Sequence, residues 1–170
     1  METLLVSLVS MALIVVSTLA ITLSTFKSAN KMADAWRAME ERSSTMGQTQ
    51  IQLQGPADYR GGVIYLQVLN EGHTNLQDFA QWDILVQYQG GSTAYLSYAA
   101  NGLPSTGQWS TTGIFVTGGL PEVFDPGILN PGEYMTLQLS VATPIQSGQM
   151  ARVVVSTPNG VTAQCFVTRG

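Results

Sequence analysis

The residue types that carry catalysis are scarce, and their spacing assembles no site. The 170-residue chain holds one histidine, His73, and one cysteine, Cys165. A serine nucleophile would have to recruit His73 as its base, yet no Gly-x-Ser-x-Gly elbow is present. His73 sits in Asn70-Glu-Gly-His-Thr-Asn75 and reads as a surface turn residue. No Cys/His spacing suits zinc, and no Gly-rich loop is followed by the Lys that a nucleotide phosphate needs. Glu122, Asp125 and Glu133 flank a Pro/Gly loop, but as oxygen ligands they are too few and too scattered for Ca²⁺. A single cysteine excludes an intrachain disulfide. The expectation is a protein that is not an enzyme and takes no cofactor or metal.

The chemistry this chain does carry is non-covalent and lies at its N-terminus. Thr3, Ser7, Ser10, Ile14, Ser17, Ile21, Ser24 and Ser28 follow one another in alternating steps of four and three, a heptad track. Thr18, Thr22, Thr25 and Ala29 run beside it. Leu4, Leu5, Leu8, Met11, Val15, Val16, Leu19, Leu23 and Phe26 fill the other sides. Small residues let helix backbones approach closely, and hydroxyls bond to neighbours or back to their own i−4 carbonyls. The track reads as a helix–helix seam, or as hydroxyls simply tolerated in a membrane helix.

The element that carries this track is long. Thr3–Phe26 contains no charge, Gly or Pro over 24 residues, and about 20 apolar residues span a bilayer. The run is too long for a cleaved signal, and no basic residue precedes it. From Lys27 to Thr45 the helical pattern continues, with Ala29, Met32, Ala33 and Trp36 on one face and Lys31/Asp34, Asp34/Arg37 and Arg37/Glu41 paired a turn apart. Gly47 is the first breaker. One helix over 1–46 would be about 69 Å long, beyond any bilayer. Its charges cancel: Lys27, Lys31, Arg37 and Arg42 against Glu2, Asp34, Glu40 and Glu41. The remaining residues, 47–170, carry the whole net charge of −4. With no basic patch there, nucleic acid is not an expected partner.

After Gly47 the period changes to 2. Alternating segments at Thr49–Gln54, Gly62–Leu69, Trp82–Tyr88, Thr93–Tyr98, Ile114–Thr117, Glu133–Ala142, Ala151–Thr157 and Val161–Thr168 predict eight short strands. Gln89-Gly90-Gly91 and Pro158-Asn159-Gly160 are hairpin signals. Gly55-Pro56 is expected to end the first strand. Residues 99–113 and 118–132 read as long loops, with Trp109, Glu122 and Asp125 as candidate outer contacts. Cys165 alternates with Ala163 and Val167 on a core face. The fold class expected is α+β: a long hydrophobic helix over 1–46, then an Ig-like antiparallel β-sandwich over 47–170.

Three stretches resemble archaellins, the archaeal-type flagellins of the type IV pilin-like superfamily. They are the uncharged helix with its amphipathic continuation; Leu66–Leu76, with its Asn70-x-Gly72-x-Thr74 turn; and Gly127–Glu133 with the strand and hairpin after it. Met1-Glu2-Thr3 departs from the small residues usual at archaellin N-termini. The resemblance implies a helical homopolymer at the cell surface, an archaellum driving swimming. Leu4, Leu5, Ser7, Leu8, Ser10, Met11, Val15, Ser17, Leu19, Thr22, Leu23, Phe26 and Trp36 would form its polymerisation helix. Before assembly the helix would lie in the membrane; a prepilin-type peptidase and the archaellum motor and platform would be partners. Lys27 and Lys31 after the apolar run oppose export of the β-domain unless a short basic leader preceded it, and such a leader is expected. Some archaellum accessory proteins, thought to act as stators, share the helix-plus-sandwich plan. A membrane-anchored stator or pilus adhesin is the alternative.

Overall fold

The computed structural model describes residues 2–169, apart from the side chains of Glu2, Leu4, Leu5, Gly55 and Pro56. The chain divides into two compact units, Met1–Ser43 and Ser44–Gly170. The first belongs to one helix, α1 (Glu2–Gln48), 47 residues long and hence about 70 Å. No Gly or Pro interrupts it before Gly47, and it ends where the period-2 pattern begins.

The second unit is built from eight strands: β1 (Ile51–Arg60), β2 (Val63–Asn70), β3 (Asp83–Tyr88), β4 (Thr93–Tyr98), β5 (Gln108–Phe115), β6 (Tyr134–Ser140), β7 (Met150–Ser156) and β8 (Thr162–Thr168). Their order is β1-β2-β6-β5-β4-β3-β7-β8. All pairs are antiparallel except a short parallel pairing of β4 with β5, Ser97 with Gln108 and Tyr98 with Trp109. Cut at that link, the order gives β1-β2-β6-β5 opposite β4-β3-β7-β8, the strand order of an immunoglobulin-type sandwich. The outermost strands β1 and β8 also touch, which draws the sandwich towards a barrel.

Alternation decides what lies inside. Ile64, Leu66 and Val68 of β2, Met135, Leu137 and Leu139 of β6, and Val153 and Val155 of β7 all point into one core with Trp82, Ile84 and Val86. Ala163 and Cys165 of β8, with Val161 just before it, pack against that core while staying half-buried. Burial raises the Cys165 thiol pKa, so the side chain behaves as a small hydrophobe.

Two expectations need correction. β1 does not stop at Gly55-Pro56. It bulges, with residues 55–57 facing Leu66 alone, and resumes at Asp58 opposite Tyr65. Proline cannot donate to a ladder, and a bulge in an outer strand tolerates it. Residues 99–113 are not all loop, since β5 starts at Gln108. Its own bulge between Thr111 and Gly113 breaks the period-2 pattern that would have revealed it.

Candidate assembly interface

Along α1 the described side chains are exposed throughout. The most apolar 18-residue window has a mean hydropathy of 2.4, and none of it is buried within the chain. Leu8, Met11, Val15, Leu19, Leu23 and Phe26 are bare, Leu8 to 72%. So is Trp36, at 62%, ten residues beyond the uncharged run. Leu4 and Leu5 fall outside the described side chains.

Two hydroxyls of the heptad track, Ser10 and Ser17, and the three threonines of the track beside it bond back to the helix's own carbonyls. Ser10 donates to the Val6 carbonyl at 2.9 Å, Ser17 to Leu13 at 2.7 Å, Thr22 to Thr18 at 2.8 Å and Thr25 to Ile21 at 2.9 Å. Thr18 reaches both Ile14 and Val15. Ser7 is exposed on the same side. A hydroxyl already bonded to its own backbone enters a dry environment at little cost and leaves a small, flat surface for a neighbouring helix. Asp34 and Arg37 form the expected surface pair, 3.2 Å apart, which adds little to stability.

Where the chain leaves α1, the turn after β2 grips it. Asn70 is fully buried. Its amide donates to the carbonyls of Thr74 at 2.8 Å and Leu129 at 2.9 Å, and its Oδ1 accepts from Gly72 N at 3.0 Å. His73 N donates to Gln48 O, and the N–H groups of Glu71 and Gly72 share Gln50 O. Gly72 lies so close to this segment that a Cβ would stand 2.5 Å from Gln50 N and 2.6 Å from Gln48 O. The Thr74 hydroxyl meets Thr49 Oγ1 at 2.7 Å, which also takes a bond from Asn159 Nδ2 at 2.7 Å. Each letter of Asn-x-Gly-x-Thr thus has a physical role. The Gly127–Glu133 stretch completes the clasp: Gly132 N donates to Asn70 O, Asn70 N to Glu133 O, and Leu76 pairs with Leu129. The buried Glu133 carboxylate accepts from Asn130 N at 2.8 Å. His73 itself is an exposed turn residue.

The outer surface differs from the expectation. Trp109 is not an outer contact; it is completely buried on β5 and packs against Tyr98 with ring centroids 4.8 Å apart. Glu122 and Asp125 do lie on the surface loop between β5 and β6. There the Glu122 carboxylate accepts from Phe124 N at 2.6 Å and from Asp125 N at 3.3 Å. Those amides hold its pKa below the ordinary carboxylate value. The bonds present Phe124, 93% exposed, beside the exposed Leu120 and Val123. Sequence patterning misses these three because they stand among prolines and glycines, where no periodicity marks a face.

No protein-family model matches the chain, and no curated protein matches it in sequence. Its fold is that of archaellum proteins. The archaellum periplasmic stator protein FlaG from Sulfolobus acidocaldarius superposes with a TM-score of 0.53 at 19% identity, covering 69% of this chain and 98% of FlaG. A chain from the FlaF–FlaG stator complex of the same organism gives 0.53 and 19%, with 69% and 88% covered. The archaeal flagellum of Methanospirillum hungatei strain JF1 gives a TM-score of 0.50 at 17% identity, covering 94% of this chain and 92% of that one. A match over 94% of the chain extends well beyond the sheet unit and takes in α1.

Proposed function

We propose that this chain is a structural subunit of an extracellular helical filament, the archaellin of an archaellum, and that it has no catalytic role. One observation carries the reading. α1 is about 70 Å long against a bilayer hydrocarbon core of about 30 Å, and it is apolar and bare beyond what lipid could cover. Met32, Trp36 and Met39 are all more than 60% exposed and lie past the uncharged segment. Burying a large apolar side chain contributes roughly 1.5–3 kcal/mol, so a bundle of parallel copies gains from each of them. The small Ser/Thr track, with Ser10 and Ser17 bonded back to their own helix, suits close approach, and the zero net charge of residues 1–46 avoids repulsion along a filament axis. The similarity to a flagellar subunit over both units supports the same reading.

In this scheme the helix waits in the membrane until a prepilin-type peptidase removes a leader, and the archaellum motor and platform then drive insertion. Leaving lipid gains much less than leaving water, so an energy source is required. The sandwich forms the filament exterior. A second reading, a membrane-anchored stator, is favoured by the fit to 98% of the FlaG chain in that solved structure, which covers 69% of this one. The seam separates the two. Ser10→Leu with Ser17→Leu leaves an anchor in place but blocks a close-packed polymer. Loss of surface filaments with the protein retained in membranes supports the subunit; normal motility supports the stator.

A further inference from the structure

The sandwich carries two surface features that complement each other in shape and charge. The first is the loop knob: Phe124, 93% exposed, followed immediately by the exposed carboxylate of Asp125. It is rigidly presented, since Val116 N bonds Leu120 O, Glu122 N bonds Ile114 O and Ile128 N bonds Asp125 O. The second is an open cavity of about 350 Å³ on the outer face of β3, β7 and β8, lined by Gln87, Met150, Arg152 and Phe166 among others. Met150 and Phe166 are exposed there. Arg152 is held by the side-chain carbonyls of Gln87 and Gln164. Among the described residues no carboxylate pairs with it, and its Nε is buried without a partner.

Charge gives the occupant. The sandwich has seven acids and three arginines, Arg60, Arg152 and Arg169. Arg60 is paired to Asp58 at 2.6 Å, and Arg169 bonds the Ile145 carbonyl and lies over Tyr59. Neither Arg152 nor Arg169 is paired to a carboxylate among the described residues, and of the two it is Arg152 that lies beside the exposed Met150 and Phe166. We infer that the Phe124–Asp125 knob of one copy docks in the Met150–Arg152–Phe166 cavity of the next. The ring fills the apolar space and stacks under the guanidinium, and the Asp125 carboxylate pairs with Arg152. Knob and cavity are different patches, so the contact is heterologous and propagates from copy to copy instead of closing a dimer. The inference rests on the filament reading and deepens it by naming a lateral contact of the outer domains.

The test uses the full chain with Cys165→Ser, Val123→Cys and Gln89→Cys, exposed positions beside the knob and at the cavity rim that leave Phe124 and Met150 in place. Oxidation of cell envelopes and of sheared surface material is followed by non-reducing electrophoresis. A ladder of dimers, trimers and higher species is expected. Asp125→Arg should cut the ladder at least roughly tenfold, and adding Arg152→Asp should restore it. Pairing Val123→Cys with Leu103→Cys, an exposed site elsewhere, should give no ladder. Absence of cross-links in both fractions, dimers alone, or cross-links only to a different protein each overturns the contact. Filaments without a ladder refute the contact and leave the filament standing. A ladder in membranes of cells that make no filaments does the reverse.

Discussion

At the scale of single residues, the buried polar groups Thr49, Asn70 and Glu133 gather where the chain leaves α1. Asn70 satisfies two carbonyls and one N–H at a site without water access. Each such group left unpaired costs about 1–3 kcal/mol, so Asn70→Ala should lower unfolding stability by about 3 kcal/mol in a denaturant titration. Gly72→Ala places a methyl against backbone atoms that have no room to move and should also destabilise, by about 1–3 kcal/mol. The Asn-x-Gly-x-Thr pattern is visible in the sequence. Its purpose is not, because the partners Gln48, Gln50, Leu129 and Asn159 are distant along the chain or bond through backbone atoms. Trp109 misleads for a related reason. A tryptophan amid Gly, Ser and Thr looks exposed, yet the consecutive Trp109 and Ser110 are both buried just before the β5 bulge, where alternation cannot be read.

Glu122 yields a pH dependence. Its pKa is depressed by the amide of Phe124 first and that of Asp125 second, with the Glu133 carboxyl nearby also lowering it. A depressed carboxyl contributes fully above its ordinary value of 4.5 and loses that contribution as pH falls through the folded value. The ordering of the Phe124 loop should therefore be constant from neutral pH down to the ordinary carboxylate range and weaken below it. Amide exchange at Phe124 and Asp125 reads this directly. Glu122→Gln should raise exchange at neutral pH and flatten its acid dependence. Little change between pH 7 and strongly acidic conditions would refute the role given to Glu122.

At the scale of elements, the helix is legible in the sequence because nothing along it contradicts helix: no Gly or Pro before Gly47, and an uninterrupted apolar run. The eight strands are legible from period 2 and the Gly-containing turns. What escapes are the places where strands break their own rule, the β1 bulge around Pro56 and the β5 bulge at Gly113. Side-chain volume should be the controlling variable on the hydroxyl face of α1. Ser17→Ala removes one back-bond at 2.7 Å and should leave assembly intact, whereas Ser17→Leu adds bulk at the seam and should abolish it while membrane insertion persists. The measurement is filament yield against membrane content on immunoblots. Equal yield from both variants would show that no helix packs on that face.

For the whole molecule, charge and exposure divide the labour. The neutral helix is apolar, long and uncovered; the acidic sandwich is closed around its own core, with the exposed Leu120, Val123 and Phe124 on one loop. The amino-acid composition of the two segments already carries this division. Sequence resemblance points to archaellum proteins, and the fold bears that out at the level of architecture. The choice between subunit and stator turns on whether the surface of α1 is covered by lipid alone or by copies of itself. The most direct measurement is electron microscopy of appendages sheared from the cell surface, with mass spectrometry of their principal protein. A filament whose core shows parallel helices about 70 Å long, composed of this chain, is the predicted result. Recovery of the chain solely from membranes, with filaments built from another protein, would contradict the account.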